Sequence, residues 1–438
     1  MEVTSPLLEQ TPEAFATTLL RSGRRRAWVA RRLEGAGWRA SRPELVELAR
    51  FVGRAPDARG QEAIFLEVGR RSRALLGAFL HDTSRGQAQG GLRHQPYPHL
   101  ASFLSDGLRL ARAMGRKNAL AGLWWSGGKG LMAQPPGLPE GACPERRALA
   151  LDFGDFVTGL DGCYVTAEDA GTTPQDLATV FQRTRFVTCI PEAFGGSGNP
   201  STATALGVVI GMEAALACEA RGGLAGKRVV VQGAGQVGAA LVDRLLERGV
   251  AEVVVGEVSP ARRRELADRW DGSRVELRAL APGEVSLLGE PCDVLAPCAL
   301  GGILGPKTIP ELDTGLVCGA ANNPLEDEGR DGAALFQRGI PYVLDFVVNR
   351  MGIVHCANEQ YGRLHPDPAV ERHLDPAWEH SIPNVVQRVL ESARREGIPT
   401  TQAADRLAEP LWEQVHPLWG RRTRAIIQGL IRGPWQRG

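Results

Sequence analysis

The chain has 438 residues, of which 43% are hydrophobic and 23% are charged. This length exceeds the size at which one hydrophobic core usually stops growing, so we expect two domains with a ligand cleft between them. The 51 lysines and arginines nearly balance the 50 acidic residues. That balance argues against nucleic acid or an anionic membrane surface as the main partner and favours small-molecule chemistry.

The cysteines and the apolar segments indicate a compartment. The eight cysteines show no CxxC spacing and no neighbouring histidine cluster, so we interpret them as reduced thiols and expect no metal site. No basic segment followed by an apolar core marks a secretory signal. The longest apolar stretch, residues 203–218, is interrupted by glycines and is shorter than the ~20 residues that span a bilayer. We therefore expect a cytoplasmic protein without a membrane partner.

Residues 1–70 are rich in arginine and carry apolar residues at mixed helical spacing, which predicts a helical N-terminal extension. Its run Arg24-Arg25-Arg26 is able to bind phosphate, but a solvated helix face or a subunit contact is the commoner role of such a run. We derive no chemistry from this extension.

Residues 71–200 are predicted to form an α/β substrate-binding domain. An apolar run at 74–80 indicates a strand, and a glycine-rich loop at 81–95 follows it. Helical spacing over 100–114 then leads to Lys117, and a glycine-interrupted segment leads to Lys129. A further strand near 163–166 ends just before Asp169.

Lysine is a rare choice in this chain, which uses arginine for every cation except Lys117, Lys129, Lys227 and Lys307. Arginine cannot release a proton near neutral pH, whereas a desolvated lysine can. Solvent exposure is the ordinary state of an arbitrary lysine. The rarity of lysine and the surrounding glycines nevertheless favour a chemical role for Lys117 and Lys129.

Strands and helices alternate from residue 201 to residue 349, which predicts a Rossmann-type NAD-binding domain. The β-branched run 228–232 precedes a glycine turn and the helical pattern 239–248. Glycines let the backbone approach a pyrophosphate, and the helix N-terminus offers free N–H groups to its charge. The turn supplies the candidate cofactor residues Gly233, Gly235, Gln236, Val237 and Gly238.

Glu257 indicates which dinucleotide is bound. It stands nineteen residues after Gly238, beyond a second strand at 252–255, where an acidic side chain binds the ribose hydroxyls. Its charge would repel a 2′-phosphate, so NAD is preferred, although the arginines at 262–264 are able to contact the phosphate of NADP.

Further strands are predicted at 294–296, 316–318 and 342–344, and ligands gather beyond the carboxyl ends of such strands. The remaining candidates are Thr204, Cys298, Ala299, Asn322 and Asn323 for the cofactor and Asn349 for the substrate. Simple turn formation is an open alternative for the asparagines.

Ordered motifs over about residues 75–410 resemble the glutamate, leucine, phenylalanine and valine dehydrogenases, and the leucine dehydrogenases most closely. They are Gly90-Gly91-Leu92-Arg93, Met114-Gly115-Arg116-Lys117-Asn118, Gly127-Gly128-Lys129, Thr166-Ala167-Glu168-Asp169-Ala170-Gly171-Thr172, the segment 195–200, Ala296-Pro297-Cys298-Ala299 and Ala403-Ala404-Asp405-Arg406.

The resemblance implies that Lys117 binds the substrate α-carboxylate, that Lys129 is the catalytic lysine and that Asp169 handles protons at the amino group. The chemistry agrees, because hydride removal from an α-amine gives an imine, and its hydrolysis needs a base near neutral pH. Burial and a second cation both lower the pKa of a lysine, so a lysine pair would bring Lys129 toward the working pH. Gly90 and Gly91 are expected where backbone meets substrate.

The sequence departs from the family at three places. Gln89 stands where leucine dehydrogenases resemble one another in having leucine and where glutamate dehydrogenases carry lysine. A buried amide without a partner costs about 1–3 kcal/mol, so we expect a polar side chain or an ordered water beside Gln89. Arg350-Met351 replaces an expected Ala-Gly after Asn349, and Ser126 replaces a glycine.

We therefore expect a two-domain α/β enzyme in which hinge and C-terminal helices at 350–438 follow the Rossmann domain. The expected reaction is oxidative deamination of an L-amino acid with NAD, by a homo-oligomer that uses no metal. The favoured substrate has an apolar branched or aromatic side chain. Open alternatives are a glutamate-type or other polar substrate, and a catalytically silent NAD-binding regulatory relative.

Overall fold

The computed structural model describes residues 5–32, 36–139, 141–270, 272–299, 301–357, 359, 362, 364, 366–433 and 435. The chain divides into two compact units, described separately below. Unit 1 comprises Met1–Gly198, Ala357–Arg363 and Glu409–Gly438, and unit 2 comprises Asn199–Cys356 and Leu364–Ala408.

Both units combine helices with a sheet. In unit 1 the strands are β1 (Arg26–Arg31), β2 (Trp38–Ala40), β3 (Gln61–Val68), β4 (Leu75–His81), β5 (Ala88–Gln95), β6 (Ser126–Ala133) and β7 (Tyr164–Glu168), and the helices are α1 (Pro6–Glu9), α2 (Pro12–Arg21), α3 (Val46–Arg54), α4 (Leu100–Leu120), α5 (Pro144–Thr158) and α6 (Pro174–Phe181). Unit 2 carries α7 (Ser201–Cys218), β8 (Arg228–Gln232), α8 (Gln236–Glu247), β9 (Glu252–Glu257), α9 (Pro260–Arg269), β10 (Val275–Ala279), β11 (Val294–Pro297), α10 (Glu328–Gln337) and α11 (Asp345–Val348). The chain continues with α12 (Met351–Ala357), α13 (Pro368–Glu371), α14 (Ile382–Glu396), α15 (Thr400–Trp412) and α16 (Arg422–Arg432), of which α16 belongs to unit 1.

The sheet of unit 1 has the strand order β2-β1-β3-β4-β6-β5-β7. Pairings from β2 to β6 are antiparallel, whereas β5 lies parallel to both β6 and β7. Apolar clusters cover both faces, with α1 to α4 packed on one face and α5, α6 and α16 on the other. This mixed sheet and the parallel sheet of unit 2 confirm the predicted α/β class.

The expectation of a helical extension over residues 1–70 needs correction, because β1, β2 and β3 from this region pair into the same sheet as β4. Residues 27–30 of β1 and 63–68 of β3 are all buried. A strand covered on both faces loses the alternation of apolar and polar residues that marks an exposed strand. Its continuous apolar run therefore resembled part of a helix.

The sheet of unit 2 is parallel, with the order β10-β9-β8-β11. The strand, glycine turn, helix and second strand predicted for residues 228–257 are present as β8, α8 and β9. The strands predicted at 316–318 and 342–344 are reduced to single parallel bridges, Leu295 to Val317 and Val317 to Tyr342. These bridges still extend the sheet beyond β11.

Helix α7 is, within the part of the chain described, the one helix whose length and composition would allow it to cross a membrane. It packs against α8, α11 and α14 within unit 2. Two of its glycines permit this contact, since a Cβ on Gly207 would lie 2.7 Å from the carbonyl oxygen of Val348, and one on Gly211 would lie 2.2 Å from the Val348 side chain. A core helix of a folded domain has the same composition.

Candidate active site

Three neighbouring strands of unit 1 place candidate substrate residues on one face of the sheet. The register puts Gln89 of β5 beside Gly127 of β6 and beside Val165 of β7. Gly127 packs directly on α4, because a Cβ there would lie 2.3 Å from the carbonyl oxygen of Ala111. Lys129 is two residues further along β6 and therefore lies on the same face as Gly127.

A buried ion pair joins Lys129 to Asp169. The Nζ atom of Lys129 donates to Oδ2 of Asp169 at 2.5 Å, and Nε of Arg93 donates to the same oxygen at 3.1 Å. Only 3% of Lys129 is exposed. A single carboxylate oxygen thus lies between two cations in a largely desolvated place.

This arrangement shifts both pKa values. Burial lowers the pKa of the Lys129 ammonium below its ordinary value and outweighs the opposing effect of Asp169, while the charge of Arg93 lowers it further. Burial alone would raise the pKa of Asp169, but Lys129 and Arg93 hold that pKa well below its usual range. Asp169 therefore stays a carboxylate, and Lys129 gives up its proton more readily than an exposed lysine.

A tight turn after β7 fixes the position of Asp169. The carbonyl oxygen of Asp169 accepts a hydrogen bond from the N–H of Thr172 at 3.0 Å, and the hydroxyl of Thr172 donates to the carbonyl oxygen of Leu92 at 3.0 Å. Gly171 has a φ of +81°, and a Cβ on it would lie 1.8 Å from the carbonyl oxygen of His94. Glycine is required at this position.

Arg93 connects the pair to α4. Its Nη1 atom lies 3.3 Å from Oδ1 of Asp106, which also accepts from Arg109 Nη2 at 2.9 Å, while Tyr97 donates to Oδ2 at 2.9 Å. Arg93 entered the sequence motifs without a role, and Asp106 was not predicted. The sequence did offer one signal for Arg93, because the two-residue alternation along β5 puts it on the same face as Gly91.

Lys117 lies in the last turn of α4 and is half-buried. It follows Met114 by about one turn, and Met114 lies against β5, since a Cβ on Gly90 would be 3.1 Å from its Cγ. The lysine pair was expected to lower the pKa of Lys129. Arg93 is a nearby cation that lowers it in the structure, and the effect of Lys117 stays a prediction.

The glycines around the lysines are explained by packing between backbones. A Cβ on Gly90 would lie 1.7 Å from the carbonyl oxygen of Gly128, one on Gly91 would lie 2.7 Å from Cβ of Asp169, and one on Gly128 would lie 2.9 Å from the carbonyl carbon of Ala88. Larger residues would separate β5 from β6 and displace Asp169. Substrate contact at Gly90 and Gly91 stays a prediction.

Gln89 is completely buried, and neither its Nε2 nor its Oε1 has a hydrogen-bond partner among the described residues. Among the described residues, no side chain forms the hydrogen bond to Gln89 that was expected from the sequence. The same row across the sheet contains His81, which pairs with Gly127, and Gln61, which pairs with His81. Both are completely buried as well, so a polar layer runs beneath α4.

Unit 2 forms the glycine turn at the start of α8. Gly233 has a φ of +99°, and a Cβ on Gly238 would lie 2.1 Å from the carbonyl oxygen of Gly233. A Cβ on Gly235, the N-cap of α8, would meet no atom within 4 Å. Gln236 and Val237 form the first turn of the helix, and the Gln236 side chain accepts a hydrogen bond from Asn199. The open space beside Gly235, at a helix N-terminus, suits a pyrophosphate.

Glu257 ends β9 and turns back to the glycine turn. Its Oε2 accepts from the N–H of Ala234 at 3.0 Å and its Oε1 from the N–H of Ser259 at 2.8 Å. Arg262 contacts the next peptide of the turn, because its Nε donates to the carbonyl oxygen of Ala234 at 3.0 Å. The acid predicted to bind ribose and an arginine therefore border the same turn.

The remaining cofactor and substrate candidates of unit 2 lie at several places. Cys298 and Ala299 follow β11 and lie against the glycine turn, since a Cβ on Gly233 would be 2.5 Å from that of Ala299. Asn349 donates to Oδ1 of Asn322 at 2.8 Å. Asn323 has a φ of +49° and donates its N–H to Asp345, as a turn residue does, and the Thr204 hydroxyl donates to the carbonyl oxygen of Pro200 within its own helix.

A glycine turn between parallel strand and helix, together with a buried lysine–carboxylate pair in a second α/β unit, defines a dinucleotide-dependent dehydrogenase. Two family models match, "Glu/Leu/Phe/Val dehydrogenase, dimerisation domain" over residues 77–186 and "Glutamate/Leucine/Phenylalanine/Valine dehydrogenase" over residues 195–413. The chain belongs to this Glu/Leu/Phe/Val dehydrogenase family, which confirms the resemblance drawn from its motifs.

Individual relatives agree with the family models. The chain is 40% identical to leucine dehydrogenase of Geobacillus stearothermophilus over 75% of this chain and 84% of that protein. It is 38% identical to valine dehydrogenase of Streptomyces albus over 81% and 92%, respectively. The crystal structure of L-tryptophan dehydrogenase from Nostoc punctiforme superposes with a TM-score of 0.66 at 31% identity, covering 84% of this chain and 98% of that one.

Proposed function

We propose that the protein catalyses the reversible oxidative deamination of an L-amino acid with an apolar branched or aromatic side chain. The balanced reaction is L-amino acid, NAD⁺ and water giving a 2-oxo acid, ammonium, NADH and a proton. The observation that carries this proposal is the buried Lys129–Asp169 pair, with its 2.5 Å contact. Only a lysine with a lowered pKa is able to act as a base near neutral pH.

Three side chains divide the work at the substrate. The ammonium of Lys117 binds the α-carboxylate. A bound nicotinamide cofactor would accept the hydride that leaves the substrate Cα. Lys129 in its neutral form removes a proton from the water that attacks the resulting imine carbon. Asp169, which stays ionised, holds the amino group and the departing ammonia by charge-assisted hydrogen bonds.

NAD is the proposed cofactor, bound by the glycine turn of unit 2. The free space at Gly235 and the helix N-terminus accommodate a pyrophosphate, and Glu257 offers a carboxylate for the ribose hydroxyls. We assign the same cofactor site to Cys298, Ala299 and Asn322, beyond the carboxyl ends of the strands. Substrate binding by residues 71–200 and dinucleotide binding by residues 201–349 are part of the proposal.

The apolar substrate class is supported by relatives named leucine, valine and L-tryptophan dehydrogenases. These names do not favour the alternatives of a glutamate-type enzyme or a silent regulatory relative. Asn349 and the Gly90-Gly91 segment are proposed to contact the substrate, and Gln89 to border its side chain.

We also propose a homo-oligomer located in the cytoplasm. The matched family model for residues 77–186 is described as a dimerisation domain. The structure holds all eight cysteines as thiols, which suits a reducing compartment.

The test is a panel of all proteinogenic L-amino acids, assayed for NADH and NADPH formation by absorbance. We expect the highest kcat/KM with a branched or aromatic substrate and NAD. The absence of turnover with every amino acid and both cofactors, in a folded preparation, would contradict the proposal. A preference for NADP would contradict only the role given to Glu257 and would leave the rest of the proposal standing.

A further inference from the structure

A cavity of about 500 Å³ lies in the N-terminal part of the chain. Its lining residues fall between Arg31 and Gly60, all in unit 1, whereas the two matched family models begin only at residues 77 and 195. Sites for small molecules commonly occupy about 300–1,000 Å³. The cavity is therefore large enough for such a ligand and belongs to a segment that the proposed dehydrogenase chemistry does not use.

The walls of this cavity bring arginines together from three elements. Arg31 and Trp38 are register partners in the antiparallel pair of β1 and β2, so their side chains lie beside each other on one face of the sheet. Helix α3 forms the opposite wall with residues three and four apart, namely Val46, Ala49, Arg50 and Gly53. Arg59, just before β3, lines a third side.

Trp38 gives the cavity an aromatic surface. A Cβ on Gly53 would lie 3.1 Å from Cδ1 of the indole, so the glycine lets α3 pack closely on one part of the ring. Trp38 is nevertheless only half-buried, and Val46 on the facing helix is 41% exposed. An accessible aromatic side chain beside cations is a place where a planar ring is able to stack.

The charge of the lining is positive. None of the described residues that line the cavity is acidic. Arg31 forms no ion pair with a described residue, while Arg50 pairs with Glu47 and Arg59 pairs with Glu409. The side chains of Arg50 and Arg59 are 61% and 66% exposed, and ion pairs so open to solvent contribute little to stability. All three guanidinium groups are therefore able to turn to an anionic ligand.

We infer that this cavity binds a nucleoside phosphate. The base stacks against Trp38 and covers Val46, and the phosphates accept paired N–H bonds from the arginines, whose planar guanidinium groups match phosphate oxygens. An α-amino acid does not fit as well, because its ammonium group would need a carboxylate that the described lining does not offer. Inorganic phosphate alone would leave the apolar surface of Trp38 and Val46 uncovered.

The experiment is a calorimetric titration of the full chain with ATP in the presence of saturating NADH. The NADH occupies the proposed dinucleotide site of unit 2, so that ATP bound there is not counted. We expect one ATP per chain, and binding that weakens as salt is raised, because exposed arginines are screened. Adenosine, which lacks the phosphates, and inorganic triphosphate, which lacks the base, should each bind at least about tenfold more weakly than ATP.

Two variants locate the site. Arg31→Gln removes a cation, and Val46→Glu places a negative charge in the cavity at the first turn of α3, where an acidic residue is compatible with the helix. Each should raise the Kd for ATP at least about tenfold. The matched controls are Arg24→Gln, at an exposed arginine outside the lining, and Phe336→Glu, at a 42% exposed residue of unit 2. Both should bind ATP like the wild type.

Three outcomes would overturn the inference: no ATP binding by the NADH-saturated wild type, an unchanged Kd in Arg31→Gln and Val46→Glu, or inorganic triphosphate binding as tightly as ATP. The last result would identify a general anion site without recognition of a base. Turnover of amino acids is not part of the measurement, so an inactive protein that binds ATP as expected would contradict the proposed function and leave this site standing.

Discussion

Lys129 and Asp169 come from different segments of unit 1, yet the Lys129 ammonium lies 2.5 Å from the Asp169 carboxylate in a place almost closed to water. Burial favours the neutral lysine, whereas the carboxylate favours the charged one, and the result is a lowered pKa. Such a lysine is poised to exchange a proton. The pair is therefore the centre of the proposed chemistry.

Lys129→Ala should reduce kcat by about a hundredfold or more, because general-base catalysis contributes typically ~10²–10⁴-fold. The dissociation constant for NADH, measured by fluorescence titration, should change less than about twofold. The matched control is Lys227→Ala, which removes a lysine paired with Asp293 in unit 2. Near-normal turnover by Lys129→Ala would exclude Lys129 as the base.

Arg93→Gln should move the acid limb of the kcat/KM–pH profile to higher pH. The charge of Arg93 lowers the pKa of Lys129, so its loss raises that pKa, and the neutral base then forms only at higher pH. Arg109→Gln serves as the control, because Arg109 also pairs with Asp106 but its side chain is 46% exposed, against 14% for Arg93. A limb at unchanged or lower pH would show that Arg93 does not act on Lys129.

Glu168, which precedes Asp169 in the chain, titrates near neutral pH. Burial, together with Asp176 and Asp169, raises the pKa of Glu168 to about 7. The Arg93→Gln comparison is therefore repeated in a Glu168→Gln background, where a limb that still moves belongs to Lys129.

The local motifs were predictable from the sequence because each is confined to a short stretch. Strand, glycine turn and helix follow one another over residues 228–247, and Glu257 ends the next strand as expected. The effect of Arg93 on the pKa of Lys129 was not predictable in the same way, because it depends on which strands are neighbours in the sheet. The order β6-β5-β7 brings three distant segments together, and no periodicity within one segment specifies that order.

His81 should make unit 1 sensitive to acid. Burial, followed by the charge of Arg112, lowers the pKa of His81 to about 3 in the folded state, against about 6.5 when unfolded. The unfolded chain therefore binds the extra proton first, and stability is lost as pH falls below about 6.5, by about 2 kcal/mol at pH ~5.

The measurement for His81 is urea unfolding at pH ~7.5, above both pKa values, and at pH ~5. His81→Leu should lose about 2 kcal/mol less of its free energy of unfolding than the wild type on acidification. His99→Leu, at an exposed position, should behave like the wild type. An identical acid loss in His81→Leu would mean that His81 is not the responsible group.

Gly235→Ala should separate cofactor binding from folding. Gly235 has a φ of −60°, and a methyl group on its Cα would have no atom within 4 Å, so alanine fits without strain and the melting temperature should stay within about 2 °C of the wild type. The methyl group would occupy the space proposed for the pyrophosphate, which should raise the Kd for NADH roughly tenfold, or ~1.4 kcal/mol. Gly223→Ala, equally free of neighbours but outside the turn, should change neither quantity. Unaltered NADH affinity in Gly235→Ala would place the dinucleotide elsewhere.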